Sequence, residues 1–187
     1  MDRTDILNAY VTDMAAVETH IHDAVTQQLD ADATSSYPEA ATVLSRLQTT
    51  LKRHVDTLEA YNAGSEGGGL REAAKEALGS ALGFAAGLYN KMRDEDQVSR
   101  MLRDTYTATS LATVSYHMLY TTALALKDER LATLAMTNLK DLTDLIGELS
   151  ESVVRVVVRE LTAEDKTLDA TVAEEAVRKT QEAWRNA

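Results

Sequence analysis

The chain has 187 residues, 44% of them apolar, with a net charge of −11 and a pI near 4.8. That length fits one domain or a domain with an extension, and the acidic field opposes contact with nucleic acid and anionic lipid. Cysteine is absent, which excludes disulfides, thiolate metal sites and cysteine nucleophiles; with a charged start, Met1-Asp2-Arg3-Thr4-Asp5, in place of a signal peptide, the expected location is cytoplasmic.

One proline and eight glycines are too few to punctuate a many-stranded sheet, so helices are expected throughout. The first, over roughly 4–30, carries Leu7, Tyr10, Met14, Val17, Ile21 and Ala24 at steps of three and four, the stripe of a core-facing helix. A small polar stretch, Asp30 to Ser36, precedes a second start, where Ser36 and Glu39 bracket Pro38 in the pattern of a capping box. The second stripe is Ala40, Leu44, Leu47, Leu51, His54, Leu58 and Tyr61, and it stops at the glycine-rich joint from Gly64 to Gly69. An accessory Gly/Ala-rich helix is expected at about 70–93, with Gly79, Gly83 and Gly87 on one face for close packing.

Asp94-Glu95-Asp96 then opens a third long helix running to about Leu126, uncharged from Thr105 onwards. Such a run is long enough to cross a bilayer, but it holds six threonines, two serines, three tyrosines and His117. A membrane span is therefore not expected, and burial among other helices on every side is. Lys127-Asp128-Glu129 makes a short turn into a fourth helix with Leu131, Leu134, Asn138, Leu142, Leu145, Leu149, Val153 and Val156. The β-branched run from Val153 to Val158 has no partner strand and reads as helix. Thr162 and Asp165 resemble a capping start for a last amphipathic helix with Leu168, Val172, Ala176 and Trp184 along its apolar edge. These elements divide the chain into a helical bundle over 1–161 and a C-terminal helix over 162–187 that packs on the bundle or on a second copy.

Bundles that do metal chemistry project Glu and Glu-x-x-His pairs inward, so the carboxylates and imidazoles nearest the stripes are the candidates. His54 lies in register with Leu51 and Leu58, where a polar side chain must be hydrogen-bonded or metal-bound. Glu18 and His22 stand one turn apart and could share a cation or be solvated surface groups; His20 is on the other shoulder. His117 sits in a charge-free environment that favours the neutral imidazole that metals bind, or a bond to a threonine. Asp141, Asp144 and Glu148 form an acidic face flanking the fourth stripe, solvated or giving one ligand, with Asp144 taken as that ligand. No Gly-x-Ser-x-Gly, Walker or dinucleotide motif is present.

Three stretches, Leu7-Asn-Ala-Tyr-Val-Thr-Asp13, His54-Val-Asp-Thr-Leu-Glu59 and Thr113-Val-Ser-Tyr-His-Met-Leu-Tyr120, resemble a bacterial ferritin-like family, nearest its stress-associated YciF-type branch. The resemblance covers about 5–160 in helix order and implies an all-α, ferritin-like antiparallel four-helix bundle with the accessory helix between its second and third members. It also implies carboxylates from the first and third helices and Glu-x-x-His from the second and fourth. Here His54 matches one histidine, Leu51 stands in place of its glutamate, Ser115 to His117 replace the third-helix carboxylate, and the fourth helix has no histidine. Two functions are expected from this incomplete set. The first is a scaffold without a metal or other cofactor, acting as a homodimer or larger homo-oligomer in a stress-linked process. The alternative is an iron or manganese protein with an atypical site drawn from Glu18, His22, His54, His117 and Asp144.

Overall fold

The structure is a computed structural model that describes residues 3–64 and 97–185. Over these residues the chain is all-helical, without a strand. The helices are α1 (Arg3–Asp30), α2 (Asp32–Ser35), α3 (Pro38–Ala63), α4 (Val98–Ala125), α5 (Glu129–Glu164) and α6 (Val172–Arg185). The expected glycine-rich helix at 70–93, with Gly79, Gly83 and Gly87, and the Asp94-Glu95-Asp96 turn lie outside the described residues. No helix among the described residues is long and apolar enough to cross a membrane.

Each long helix buries a stripe whose steps alternate four and three. On α1 the buried register is Leu7, Val11, Met14, Glu18, Ile21, Val25 and Gln28; on α3 it is the expected Ala40 to Tyr61 series. On α4 it runs Val98, Leu102, Thr105, Thr109, Ala112, Tyr116, Leu119, Ala123, and on α5 Leu131, Ala135, Asn138, Leu142, Leu145, Leu149, Ser152, Val156. A repeat of seven residues in two turns favours the shallow crossing of long, nearly parallel helix axes, about 20°. In this way α1 packs on α3 and α4, and α5 closes the ring against α3 and α4. The cross-links run antiparallel at every interface: Arg46 to Glu148 and Arg53 to Asp141 between α3 and α5, and Glu18 to Tyr116 and Gln28 to Thr105 between α1 and α4.

The turn between α4 and α5 is set by Lys127, whose φ of 59° is left-handed and lets the Asp128 N–H reach back to the Ala123 carbonyl. Asp128 then caps α5 by accepting from the Leu131 N–H at 2.8 Å, and its other oxygen accepts from Tyr61 Oη at 2.7 Å. At the opposite end Glu160 of α5 accepts the Ser99 N–H at 3.0 Å, tying the start of α4 to its neighbour.

Several local expectations are corrected. The Ser36–Glu39 capping box does not form: Tyr37 is the residue before the helix, Pro38 opens it, and Arg159 of α5 takes both the Glu39 carboxylate and the Ser36 carbonyl. Ser36 instead follows the short α2. The fourth helix extends to Glu164, so Thr162 is inside it, donating to the Val158 carbonyl, and no helix starts there. Asp165 and Asp169 each fold the link to α6 by accepting N–H and hydroxyl bonds from the threonine two residues on. On α6 the buried residue is Val177; of the expected apolar edge, Ala176 is half-buried, Val172 and Trp184 are exposed, and Leu168 is an exposed residue of the link before the helix. Contacts of Arg155 with Glu174, Gln181 with Glu151, and the edge-on rings of Tyr106 and Trp184 hold α6 against the bundle. Finally, α4 is not buried all round. Leu111, Val114, His117, Met118 and Leu124 face outward, because a helix packed on two neighbours covers only part of its circumference.

Candidate functional site

Midway along the bundle, the four long helices each contribute a polar side chain to one buried cluster. Glu18 comes from α1, at the step of its stripe that follows Met14, and is 0% exposed. His54 of α3 enters between Leu51 and Leu58, both fully buried, so its ring is held in an apolar sleeve with its nitrogens as the sole polar outlets. Tyr116 arrives from α4 and Asn138 from α5, and Asp141, one turn beyond Asn138, closes the cluster at its outer edge.

The bonds form a continuous chain. Glu18 Oε1 is 2.9 Å from His54 Nδ1, and Tyr116 Oη donates to Glu18 Oε2 at 2.9 Å. Asn138 Nδ2 donates to Tyr116 Oη at 2.8 Å, which fills the remaining side of that hydroxyl. On the far side of the imidazole, Nε2 lies 3.2 Å from Asp141 Oδ2, an oxygen that also accepts from Arg53 at 2.7 Å. The His54 and Tyr116 rings meet edge to face, with centroids 6.0 Å apart and planes at 86°. Burial falls off outward: His54 is 1% exposed and Asp141 34%.

Electrostatics follow from that gradient. Burial pushes the Glu18 carboxyl above its ordinary range, opposed by the hydrogen bond and charge of His54 and by the Tyr116 hydroxyl. Burial and then the adjacent Glu18 charge raise the Tyr116 phenol well above its ordinary value, so it acts as a donor. Two proton placements satisfy the same geometry. His54 can carry both protons between two carboxylates, or Glu18 can hold one and donate it to Nδ1; in each case Nε2–H donates to Asp141. The cluster can therefore shift a proton between Glu18 and His54 without moving a heavy atom.

The structure brings together two of the five expected metal ligands, Glu18 and His54, and separates the rest. The solvated alternative for Glu18 is overturned by its burial. His22, one turn along, is half-buried and turns its Nδ1 to Asp23 at 3.4 Å. His117 is exposed, because its neighbour Tyr116 occupies the inward position of that turn. Asp144 is exposed as well, and Asp141, three residues earlier, is the carboxylate of α5 that reaches the cluster. Tyr116 and Asn138 were not expected as members. Their signal was register: each falls on the four-and-three stripe of its helix, where a polar group needs a partner from another helix.

The donor set does not fit a di-metal centre. Among the described residues no group of three or more histidine, cysteine, aspartate or glutamate side chains could hold a metal ion. Metal donors must converge on one point at about 2.0–2.2 Å, whereas the imidazole stands between Glu18 and Asp141 with one nitrogen given to each. Among the described residues, the buried side-chain atoms left without a partner belong to His20, Gln28, Glu39, Asn62 and Asp104, none of them in this cluster. Comparison with protein-family models, with curated proteins and with solved structures finds no match to this chain.

Proposed function

We propose that this chain is a ferritin-like helical scaffold in which a hydrogen-bonded cluster stands where a di-iron centre would be. In this reading it acts by self-association or partner binding, in a bacterial stress-linked process. The observation that carries the reading is the saturation of the cluster. Glu18, His54, Tyr116 and Asn138 satisfy one another, which leaves no convergent set of free donors for a guest. The arrangement supports a ferritin-like origin in its spacing. Leu51 and His54 on α3, and Asn138 and Asp141 on α5, repeat the three-residue step of Glu-x-x-His on facing helices, with Glu18 and Tyr116 supplied by the other two. With Leu51, Tyr116 and Asn138 standing for glutamates and Asp141 for a histidine, the same positions hold helices together instead of metal ions.

A second reading keeps one cation. Histidines that bind metals usually donate their other N–H to a carboxylate, as His54 Nε2 is placed to do toward Asp141, and Nδ1 faces Glu18. A cation there would displace the shared proton.

Elemental analysis of the purified protein for iron, manganese and zinc separates the two, with the melting temperature measured before and after anaerobic addition of Fe(II). The scaffold reading expects substoichiometric metal and an unchanged melting temperature. Stoichiometric metal that disappears in His54→Ala would overturn it.

A further inference from the structure

α6 lies antiparallel along α5, and polar side chains bridge the two helices at successive levels. Arg155 meets Glu174, and one turn back along α5 Glu151 meets Gln181. At the next turn the α5 position is Gly147, which has no side chain to reach across to Trp184 and Arg185. A cleft of about 290 Å³ opens there between the helices, lined by Gly147 and Ser150 from α5 and by Trp184 and Arg185 from α6, with Glu151 and Gln181 beside them.

Three features of this cleft are unexplained by the fold. Gly147 is the one glycine inside a helix among the described residues, although glycine is the weakest helix former after proline. A Cβ added to it would meet nothing within 4 Å, so no neighbour in the chain requires its absence. Bare backbone at such a place suits the close approach of a ligand. Trp184, the single tryptophan of the chain, is 57% exposed, yet Tyr106 fixes its ring edge to face, with centroids 6.1 Å apart and planes at 77°. An oriented, exposed indole is a stacking surface. Finally, the cleft holds unpaired donors. Thr133, Thr137 and Thr143 of α5 each donate to the carbonyl four residues back, whereas the Ser150 hydroxyl makes no such bond, and the Trp184 indole N–H has no acceptor among the described residues.

We infer that this cleft binds a small, uncharged, planar ring compound that carries a hydrogen-bond acceptor such as an amide carbonyl. The ring stacks on Trp184 over Gly147, and the acceptor takes the free donors. Charge selects against an ion. Gln181 donates to Glu151 and accepts from Arg185 at 3.3 Å, so the carboxylate and guanidinium of the cleft are joined through one amide and offset each other. The volume stands at the small end of ligand pockets, about 300–1,000 Å³, which limits the occupant to one or two rings and the affinity to the millimolar range. This site is separate from the buried cluster and does not depend on the association reading.

The single tryptophan makes the test direct, because the full-length chain has one indole N–H resonance and that resonance lies in the cleft. Isotopically labelled protein is titrated with benzamide and, in parallel, with benzoate, benzyltrimethylammonium and cyclohexanecarboxamide. A saturable shift of the indole resonance is expected with benzamide, and binding at least about fivefold weaker with the other three. Gly147→Leu fills the cleft and should weaken benzamide at least about tenfold, while Gly147→Ala, with empty space around its Cβ, should hold or raise the melting temperature. Ser150→Ala should weaken benzamide with the melting temperature unchanged. The absence of a saturable shift with any probe would overturn the site, and so would a shift that survives Gly147→Leu. Benzoate or benzyltrimethylammonium binding as tightly as benzamide would overturn the uncharged class, and equal binding of cyclohexanecarboxamide would overturn stacking. A melting temperature lowered by Gly147→Ala would assign the glycine to the fold and remove it from the site.

Discussion

Tyr116 holds two polar groups at once: it donates to Glu18 and accepts from Asn138, all three buried. Tyr116→Phe removes both bonds with little change in volume and leaves a carboxylate oxygen and an amide unpaired. We expect a loss of about 1–3 kcal/mol in denaturant titration, the cost of stranding buried polar groups. Glu18 and His54 are coupled more tightly. Glu18→Leu or His54→Leu alone should cost about 3–5 kcal/mol, since each strands the other, whereas the double change to leucine should cost far less than the sum. Additive losses in that cycle would show that the pair is not one unit. The pH dependence has a definite sign. Because burial holds the Glu18 carboxyl above its ordinary 4.5, the folded chain binds that proton more tightly than the unfolded chain. Stability from this group therefore falls as pH rises from 4.5 through the folded value and is flat above it. Melting curves of wild type and Glu18→Gln should diverge in favour of wild type as pH drops through that window; the reverse slope would mean that the His54 contact outweighs burial. At this scale the sequence was half legible. His54 stands out as a polar letter on an apolar stripe, whereas Glu18 is masked by its apolar neighbour Val17, which fits the same step of the α1 stripe.

The elements divide the same way. The α3 stripe, from Ala40 to Tyr61, is buried as its periodicity predicts, because every inward position but His54 is apolar or aromatic. The burial of α4 was overestimated. Absence of charge is not absence of solvent: threonine, serine and tyrosine pair with backbone carbonyls and water at no great cost, and Thr107, Ser115 and Thr121 donate to carbonyls four residues back. Helix ends were the least legible feature, since their partners come from distant helices: Arg159 disrupts the expected box at Ser36 and Glu39, and Glu160 serves the start of α4. Asp128 is the sharpest test of an element boundary, because it caps α5 and anchors Tyr61 of α3 together. Asp128→Ala should cost about 1–2 kcal/mol as a lost cap with an orphaned phenol, read from the denaturant midpoint at unchanged slope, and Asp128→Asn should recover much of it. Equal losses from both changes would show that charge, not hydrogen bonding, holds the turn.

On the scale of the whole molecule, the short connections specify α1 beside α3 and α4 beside α5 as antiparallel neighbours, whereas the contacts of α1 with α4 and of α3 with α5, which close the ring, join helices far apart in sequence and are seen only in the structure. What no single stripe could specify is which polar residues meet at the centre, because that depends on the relative heights of four helices. Net charge is the one property already legible at full scale, and it bears on association directly. If two copies associate through the uncharged outward face of α4, each carries −11 into the dimer and the long-range force is repulsive. Salt screens that repulsion over a Debye length of about 30 Å at 0.01 M and about 10 Å at 0.1 M, while contacts between apolar side chains are little weakened. The dimer should therefore tighten several-fold over that range of ionic strength, as sedimentation equilibrium would show. An interface built from the exposed ion pairs, such as Arg155 with Glu174 exchanged between copies, responds in the opposite direction, because the same screening weakens attraction. Loosening with salt would consequently move the contact away from α4 and onto the charged surface of α5 and α6.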